Sequence, residues 1–316
     1  MSRMTRLKKI LFACGGAALC GCLCLAQRWD YYDDGDRRVH YTEGGPGGRV
    51  MVDEDTMSTA REVASHSSDV PVWTNTPGFE KDAFTFCRVR FVSGTQGRSR
   101  GSWITDFPDS DMNLSFRLQQ MTSMKVSPDG RFLRLKNQDL SSYPWIYMVE
   151  PGRLVLDEEE VSILRKYLLN GGFLMADDFW GDYQWENFQR EMKKVFPERD
   201  FAELPMEHPI FHTVFDLQVP KQQLQTPNLG NALYSLQPGS RYYGVTWEPQ
   251  NGAGSEEMHV RAISDDKGRL MVIATHNCDN GDGWEREGEH DDFFRTFSEK
   301  RAFPLGINII VYAMTH

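Results

Sequence analysis

Short apolar runs and amphipathic stretches alternate along the chain from about residue 80 to its end. The first run, 84–91 (FTFCRVRF), has the apolar and β-branched content of a buried strand. Asp109, Ser110 or Asp111 can then cap a helix, on which Leu114, Leu118 and Met121 recur at helical spacing. Because both periods occur in alternation, the pattern favours a sheet covered by helices over an all-α or all-β fold.

The clearest unit is a strand, a helix and a strand in close succession. Apolar runs over 145–149 and 173–176 (FLMA) predict the two strands. Between them, Asp157 and Glu160 have the spacing of a capping box, and a Gly-Gly pair is typical of the helix end. The order is that of a βαβ unit, so we expect the two strands to be parallel.

Later patterns complete the predicted domain. Shorter strands are predicted near 241–248, 258–264 and 269–275, and Pro304 opens a final apolar helix. Together these patterns predict one domain over 79–316. Its fold class is α/β, in three layers, with a mostly parallel sheet flanked by helices.

The N-terminus has the pattern of an export signal. Residues 1–9 carry four basic and no acidic side chains, and 10–26 are apolar or small throughout. This predicts a signal peptide over 1–26. An uncleaved anchor is the alternative, although the run is short for a bilayer that needs about 20 apolar residues. The segment around Cys22 also resembles a lipoprotein box, in which Cys22 would carry the lipid.

Charge argues against nucleic acid as a partner. The 316 residues include 35 Lys and Arg against 45 Asp and Glu, a formal charge of -10 that becomes -14 if residues 1–26 are removed. No basic cluster follows the N-terminus to bind a phosphate backbone. Residues 27–78 are acidic and Gly-rich, which predicts a mostly disordered tether. The predicted signal indicates an extracytoplasmic protein, periplasmic or secreted, that touches a membrane only through an uncleaved or lipidated N-terminus.

Two cysteines remain outside the predicted signal. Cys87 and Cys278 could form one disulfide in an oxidising compartment, but a pair has no spacing signature. Cys87 lies within a strand pattern. Two buried thiols are therefore favoured over a disulfide or a reactive thiolate.

Polar side chains follow three of the predicted strands, where ligands bind in parallel α/β sheets. Asp106 lies in the segment after the first strand, Asp178 follows FLMA directly, and His276 ends the strand near 269–275. A buried carboxylate is costly unless it is bonded, and a histidine in such a place fits an acid, a base or a ligand. Asp106, Asp178 and His276 are therefore the candidate catalytic residues, with a solvated loop or a structural role as the alternative.

Aromatic residues flank the same three places. Indole rings beside carboxylates and amides are what a sugar-binding cleft uses, although tryptophans that simply pack the loops would give the same pattern. No motif assigns a cofactor or a metal; at His208-Pro209-Ile210-Phe211-His212, for example, the prolines oppose a zinc-binding helix. The candidate ligand-binding residues are Trp103, Asp177, Trp180, Asn277, Asp279 and Trp284.

Several segments carry a family resemblance, in order along residues 82–316. They are Trp103 with 106–109 (DFPD), 143–148 (YPWIYM), 168–181 (LLNGGFLMADDFWG), 208–212 (HPIFH), 276–277 (HN), 306–308 (GIN) and 312–316 (YAMTH). The chain resembles a bacterial family described as domain of unknown function four-one-five-nine. The resemblance implies an extracytoplasmic protein with a fold similar to class I glutamine amidotransferases, which is flavodoxin-like, and implies no established activity.

Only part of the catalytic set of class I amidotransferases has a counterpart in this sequence. In those enzymes a nucleophilic cysteine follows a strand that comes after a helix and a Gly-Gly pair, and a catalytic histidine ends a later strand. His276 matches the histidine, but the matching turn, 176–181, contains no cysteine. Because a carboxylate cannot replace the thiolate in glutamine hydrolysis, amidotransferase activity is not expected.

Two functional hypotheses remain. The first is a non-catalytic envelope protein whose cleft around Asp106, Asp178, Trp180 and His276 binds a glycan or a partner protein. The second is a hydrolase of saccharides or envelope polymers, in which Asp178 acts as base or nucleophile and His276 or Asp106 as the acid. In the second hypothesis a divalent metal could join the carboxylates.

Overall fold

The computed structural model describes residues 30–34, 37–42, 50–53, 56–65, 69–78, 82–93 and 103–316. The predicted signal peptide over 1–26, with the predicted lipidation at Cys22, lies outside these residues. A sheet of seven strands organises the main domain. The strands are β4 (Cys87–Arg90), β5 (Arg131–Arg134), β6 (Trp145–Val149), β7 (Phe173–Phe179), β8 (Ala202–Glu203), β9 (His259–Ser264) and β10 (Leu270–His276).

Helices lie between these strands and after them. They are α1 (Asp109–Met121), α2 (Glu158–Leu169), α3 (Gly181–Val195), α4 (Leu229–Leu236), α5 (Asn280–Glu285), a short α6 (Asp291–Phe293) continued by a π-helical segment (Phe294–Ala302), and α7 (Phe303–Thr315). A separate antiparallel sheet is formed by β1 (Asp30–Asp34), β2 (Arg37–Thr42) and β3 (Val50–Asp53).

The main sheet has the order β5-β4-β6-β7-β10-β9-β8. The first five strands of this order are parallel to their neighbours, and β9 and β8 add two antiparallel strands at one edge. Taken in chain order, the parallel strands run 2-1-3-4-5, so the direction of winding reverses between β4 and β6. Ligand sites of doubly wound sheets lie at such a reversal, beyond the carboxyl ends of the strands.

The helices pack in two groups around this sheet. Helices α1, α5 and α7 contact one another, and α2 packs against α3. Strands β6, β7 and β10 are buried along their whole length. Continuous burial is what a parallel strand covered on both faces requires. The prediction of an α/β domain with a mostly parallel sheet flanked by helices is confirmed.

Local signals in the sequence account for the central βαβ unit. The Asp157 side chain accepts a hydrogen bond from the Glu160 backbone N–H, and the Glu160 side chain accepts one from the Asp157 N–H, so the predicted capping box is present. Strand β6 pairs with β7 in parallel, as the order of elements predicted. The strand predicted near 241–248 is wrong, because this part of the chain forms turns after α4.

Part of the segment before the domain is packed on it. Ala60, Val63 and Trp73 are buried within the main hydrophobic core, and the Trp73 indole donates to the Val126 carbonyl at 3.0 Å. This differs from the disordered tether predicted over 27–78. Isolated apolar residues in a Gly-rich segment have no periodicity, so their burial depends on tertiary contacts that the local pattern does not contain.

Candidate functional site

Three buried carboxylates from three different strand ends meet in one place. Asp106 lies in the segment between β4 and α1, Asp178 lies near the end of β7, and Asp279 follows β10. One carboxylate oxygen of each lies within 4.8 Å of the others. Their residues are 3%, 7% and 4% exposed, so the cluster has little contact with water. We call these three residues the carboxylate triad.

The backbone around the triad is held in a conformation that non-glycine residues rarely adopt. Asp106, Glu150, Asp178 and Asn277 have φ values of 60°, 48°, 54° and 61°. Glu150 and Asn277 directly follow parallel strands, Asp178 lies near the end of β7, and Asp106 lies in the connection between β4 and α1. Such conformations cost about 1–3 kcal/mol each and concentrate at functional sites, because the surrounding structure must enforce them.

A β-bulge directs Asp178 into the triad. Thr275 of β10 lies opposite Asp177, whereas the next residue, His276, lies opposite Phe179. Asp178 is thus the extra residue of β7, and its backbone N–H donates to the Cys278 carbonyl. Bulges of this kind redirect a side chain without ending the sheet.

Asp106 is the least satisfied of the three. Its Oδ2 atom is buried and accepts no hydrogen bond from any residue that the structure describes. The oxygen lies against Gly281 in α5, so closely that a Cβ atom at position 281 would overlap it. A buried carboxylate oxygen without a donor is costly, so this atom is the strongest indication that the cluster binds a ligand.

A buried ion pair holds the segment that carries Asp106. The Arg88 guanidinium of β4 pairs with Asp111 of α1, and both side chains are fully buried. Arg88 also donates to the carbonyl oxygens of Trp103 and Thr105 at 3.0 and 2.7 Å. These bonds fix the turn immediately before Asp106, because one planar guanidinium reaches both its start and the following helix.

These contacts replace the helix cap that the sequence predicted at residues 109–111. The first turn of α1 begins after Pro108, with no side-chain cap. Asp109 and Asp111 are buried instead; Asp109 accepts a hydrogen bond from Ser65, and Asp111 binds Arg88.

Burial and like charge raise the pKa values of the whole triad. For Asp106, Asp178 and Asp279, loss of solvation is the largest cause. Neighbouring acids add to it: Asp282 raises the pKa of Asp106, Glu150 that of Asp178, and Asp178 that of Asp279. Carboxyl groups in this situation take up a proton or bind a cation.

A second acidic group shares Asp106 with the triad. Oxygens of Asp106, Asp282 and Glu285 also lie within 4.8 Å of one another. Here a cation is already present, since Arg286 Nε lies 2.8 Å from Asp282 and Nη2 lies 3.0 Å from Glu285. Within the described ranges, no lysine or arginine forms an ion pair with the triad residue Asp178 or Asp279.

Glu248 is a further acid near the cluster. It is 5% exposed and its carboxylate accepts hydrogen bonds from Asn228, Gln250 and Asn251. Burial raises its pKa to about 7, and the charges of Asp282 and Glu150 contribute to the shift. The negative potential at the triad therefore extends beyond its own three carboxylates.

Asp177, predicted as ligand-binding, has its carboxylate fully engaged by the protein. It accepts hydrogen bonds from the Tyr147 hydroxyl at 3.1 Å and from the Thr275 hydroxyl at 2.5 Å. The Asn280 amide and backbone and the Gly281 N–H donate as well. Burial raises its pKa to about 6. Its position ties β7 to β6, β10 and α5, which is a structural role.

His276 does not join the carboxylates. Its ring contacts Phe179, Trp185 and His259, and Arg261 donates to its Nδ1 atom. An arginine can only donate, so Nδ1 carries no proton and Nε2–H donates to the Gly181 carbonyl at 3.1 Å. Burial lowers its pKa to about 3. Near neutral pH the imidazole is a neutral group that holds the turn before α3.

Asn277 also has a structural role in this conformation. Its side-chain oxygen accepts from the Gly181 N–H, and its amide donates to the carbonyl oxygens of Gly254 and Glu257. These bonds connect the end of β10 with the start of α3 and with a distant loop.

The three candidate tryptophans are packed inside the protein. Trp103 is 4% exposed and stacks on Phe132, and Trp284 is fully buried with its indole N–H bonded to Ala302. Trp180 is 2% exposed and donates to Asp178 Oδ1 at 2.8 Å. None of the three presents a free ring face, so the predicted stacking of a sugar has no support in this conformation.

Both described cysteines are free and buried, as the strand pattern favoured. Burial raises the pKa values of the Cys87 and Cys278 thiols, so neither is a thiolate near neutral pH. Nucleophilic thiol chemistry at this site is therefore not supported.

The sequence pattern predicts Asp106, Asp178 and Asp279 at the same edge of the sheet, but it does not predict the charged side chains around them. Glu150 directly follows β6, so the strand-end rule could have found it. Asp282 and Glu285 are three residues apart, the spacing of one helix face, which was a weaker signal. Glu248 and Arg286 gave no local signal.

The fold and the site together define a class: a doubly wound α/β protein with a buried carboxylate cluster beyond the strand ends of its parallel sheet. The family model of the domain of unknown function DUF4159 matches residues 85–314, so the chain belongs to this family. This confirms the family resemblance of the sequence. No curated protein matches the chain. Across the described residues, no helix combines the length and the apolar character needed to cross a membrane.

Proposed function

We propose that the protein binds one divalent cation at the carboxylate triad and uses it to hold the strand-end loops of a non-catalytic ligand- or partner-binding domain. The observation that carries the proposal is the buried Asp106 Oδ2 atom without a hydrogen-bond donor. It lies in a group of three carboxylates with no ion-pair partner for Asp178 or Asp279 among the described residues.

The chemistry of the ligands favours a hard cation. Carboxylate oxygens are the ligands that Mg²⁺, Ca²⁺ and Mn²⁺ prefer, whereas the side chains of His276 and Cys278, at the end of β10, are engaged elsewhere. A divalent cation would offset the mutual repulsion of Asp106, Asp178 and Asp279. It would also join three segments that are far apart in the sequence.

The state of the other groups near the triad supports a non-catalytic role. Asp177 is saturated with hydrogen bonds, and His276 is neutral and bonded to backbone and arginine. No thiolate is present among the described cysteines. The site thus lacks the pairing of nucleophile and base that covalent hydrolysis uses.

A cation-assisted hydrolase is the second candidate, favoured by the strained backbone of Asp178. In that case the cation would polarise a substrate oxygen, and Glu150, a half-buried acid beside Asp178, would accept the proton of the attacking water. Release of reducing ends or phosphate from envelope polymers only when Mg²⁺ or Mn²⁺ is added would favour this candidate over the first.

The direct test of the proposed function is titration of the full chain with Mg²⁺, Ca²⁺ and Mn²⁺ by isothermal calorimetry. We expect one site per chain, and a loss of roughly a hundredfold in affinity in Asp106→Asn, which keeps the shape of the side chain but removes a charge. The matched control is Asp139→Asn, an exposed acid near β5. No binding by the wild-type chain, or equal binding by Asp106→Asn, would contradict the proposal.

Two further proposals concern location and fold. Export to the cell envelope rests on the signal pattern of residues 1–26, and a fusion of this segment to a reporter tests it. A relation to class I amidotransferases is supported by the positive φ of Asp178 near the end of β7 and by the position of His276 at the end of β10.

A further inference from the structure

The acidic cluster contains two overlapping groups of potential ligands, and among the residues that the structure describes, only the second group has an arginine in ion-pair contact with its carboxylates. The triad and the second group share Asp106. In the second group, Arg286 binds Asp282 through Nε at 2.8 Å and Glu285 through Nη2 at 3.0 Å. In a two-metal site, a shared carboxylate bridges two cations. Here the Arg286 guanidinium supplies positive charge at the position that the second of these cations would occupy.

We propose that Arg286 takes the place of a second divalent cation and so limits the cluster to one. This inference rests on the proposed function, because it assumes that the triad binds the first cation.

The position of Arg286 is built into the fold. Its side chain is largely buried, and it directly follows α5, the helix that carries Asp282 and Glu285. Asp282 is fixed in turn by the Leu229 N–H, and Glu289 forms a third ion pair with Arg286. The guanidinium therefore cannot leave its carboxylates without giving up three ion pairs.

Charge and shape explain why the Arg286 guanidinium and a divalent cation exclude each other. Arg286 offers one positive charge and lies within ion-pair distance of the carboxylates of Asp282 and Glu285. A divalent ion offers two positive charges to the same oxygens in a smaller volume. Replacing Arg286 by a neutral side chain removes the positive charge that pairs with Asp282 and Glu285, and a second cation bound between them and Asp106 would restore it.

The test is the number of cations bound per chain in the full-length protein. Wild type, Arg286→Gln and Arg286→Lys are saturated with Mn²⁺, dialysed, and measured by elemental analysis and calorimetry. We expect one Mn²⁺ in wild type, two in Arg286→Gln, and one in Arg286→Lys, whose ammonium keeps the charge. The double variant Glu285→Gln/Arg286→Gln should bind one, because it removes a ligand of the second position.

The outcomes separate the two proposals. No Mn²⁺ in wild type contradicts the proposed function. Two Mn²⁺ in wild type, or one in a folded Arg286→Gln, contradicts the role of Arg286 alone. If Arg286→Gln is recovered folded only with Mn²⁺ present, its metal content should still be two per chain. Failure to fold even with Mn²⁺ would show that the cation cannot replace the guanidinium.

Discussion

Asp106 gives the clearest sign of a bound cation, because its hydrogen bonding differs from that of Asp178 and Asp279. Asp178 accepts a hydrogen bond from Trp180 and Asp279 accepts one from Asp282, so each has a partner within the protein. Asp106 Oδ2 has none among the described residues, although it is buried. Since an unpaired buried acceptor costs about 1–3 kcal/mol, its position in the cluster needs a physical reason, and a bound cation supplies one.

Gly281 allows that oxygen to occupy its place. Adding a Cβ atom at position 281 would push the Asp106 carboxylate away from the cluster, while the helical backbone there accepts alanine. We predict that Gly281→Ala folds and binds Mn²⁺ roughly tenfold or more weakly by calorimetry. Gly230→Ala in α4 is the control, because its Cβ would meet only Asn228 Oδ1 at 3.4 Å. Unchanged affinity in Gly281→Ala would argue against Asp106 as a ligand.

His276 gives a prediction about pH. Its folded-state pKa of about 3 lies below that of an exposed histidine, so the unfolded chain binds more protons between these values. Stability supplied by the neutral ring is therefore complete above about pH 6.5 and is lost as the pH falls toward 3.

The variant His276→Gln keeps a neutral acceptor for Arg261 and a donor for the Gly181 carbonyl. Between pH 7 and pH 5, wild type should lose about 2 kcal/mol more unfolding free energy than His276→Gln, measured by denaturant titration. Equal losses in both proteins would mean that His276 is protonated in the folded state, and would reopen its candidacy as an acid.

At the scale of elements, the parallel strands bring the triad residues to one edge of the sheet, and the loops add the other acidic side chains. The apolar runs and the strand-end rule sufficed to bring Asp106, Asp178 and Asp279 to one edge. These patterns could not predict which face of the sheet each side chain points to. The bulge at Asp178 shifts the alternation of side chains in β7 by one residue relative to β10. For this reason Asp178 joins the cluster and His276 does not.

Other contributors depend on packing between distant elements. Arg88 lies within β4, in a pattern that reads as an ordinary buried strand, and its partner Asp111 reads as a helix cap. Glu248 lies in a turn region that the apolar pattern predicted as a strand. Their places follow from tertiary contacts, which single-sequence periodicity does not contain.

The pair of Arg88 and Asp111 should be essential for the segment before Asp106. We predict that Asp111→Asn costs about 3–5 kcal/mol of unfolding free energy, because it leaves a buried guanidinium without its counter-charge. The matched control is Asp139→Asn, which removes the partly exposed partner of Arg131 and should cost at most about 1 kcal/mol. Similar small costs for both variants would show that the segment is held by other contacts.

At the scale of the whole molecule, the cation would connect parts of the chain that no described disulfide joins. The triad residues come from the connections after β4, β7 and β10, and Asp106 and Asp279 are separated by most of the domain. A ligand that binds only the folded state stabilises it by about 2.7 kcal/mol at a hundred times its dissociation constant. The domain's stability should therefore depend on divalent cations.

We predict that Mg²⁺, Ca²⁺ or Mn²⁺ raises the melting temperature of the full chain by roughly 5–10 °C at that saturation, and that a chelator reverses the change. Asp106→Asn should show no such rise. The measurement is differential scanning calorimetry at constant ionic strength. A rise of the same size in Asp106→Asn would indicate that the ion acts at another site.

The most direct measurement is an anomalous difference map from crystals of the protein grown or soaked with Mn²⁺. We predict one strong peak between the carboxylates of Asp106, Asp178 and Asp279, and a clearly weaker peak there in crystals of Asp106→Asn at the same Mn²⁺ concentration. Mn²⁺–oxygen distances in the range of hard-cation sites would identify these side chains as ligands. A map without a peak among the three carboxylates, at millimolar Mn²⁺ and with the fold intact, would contradict the proposal that the carboxylate triad binds a divalent cation.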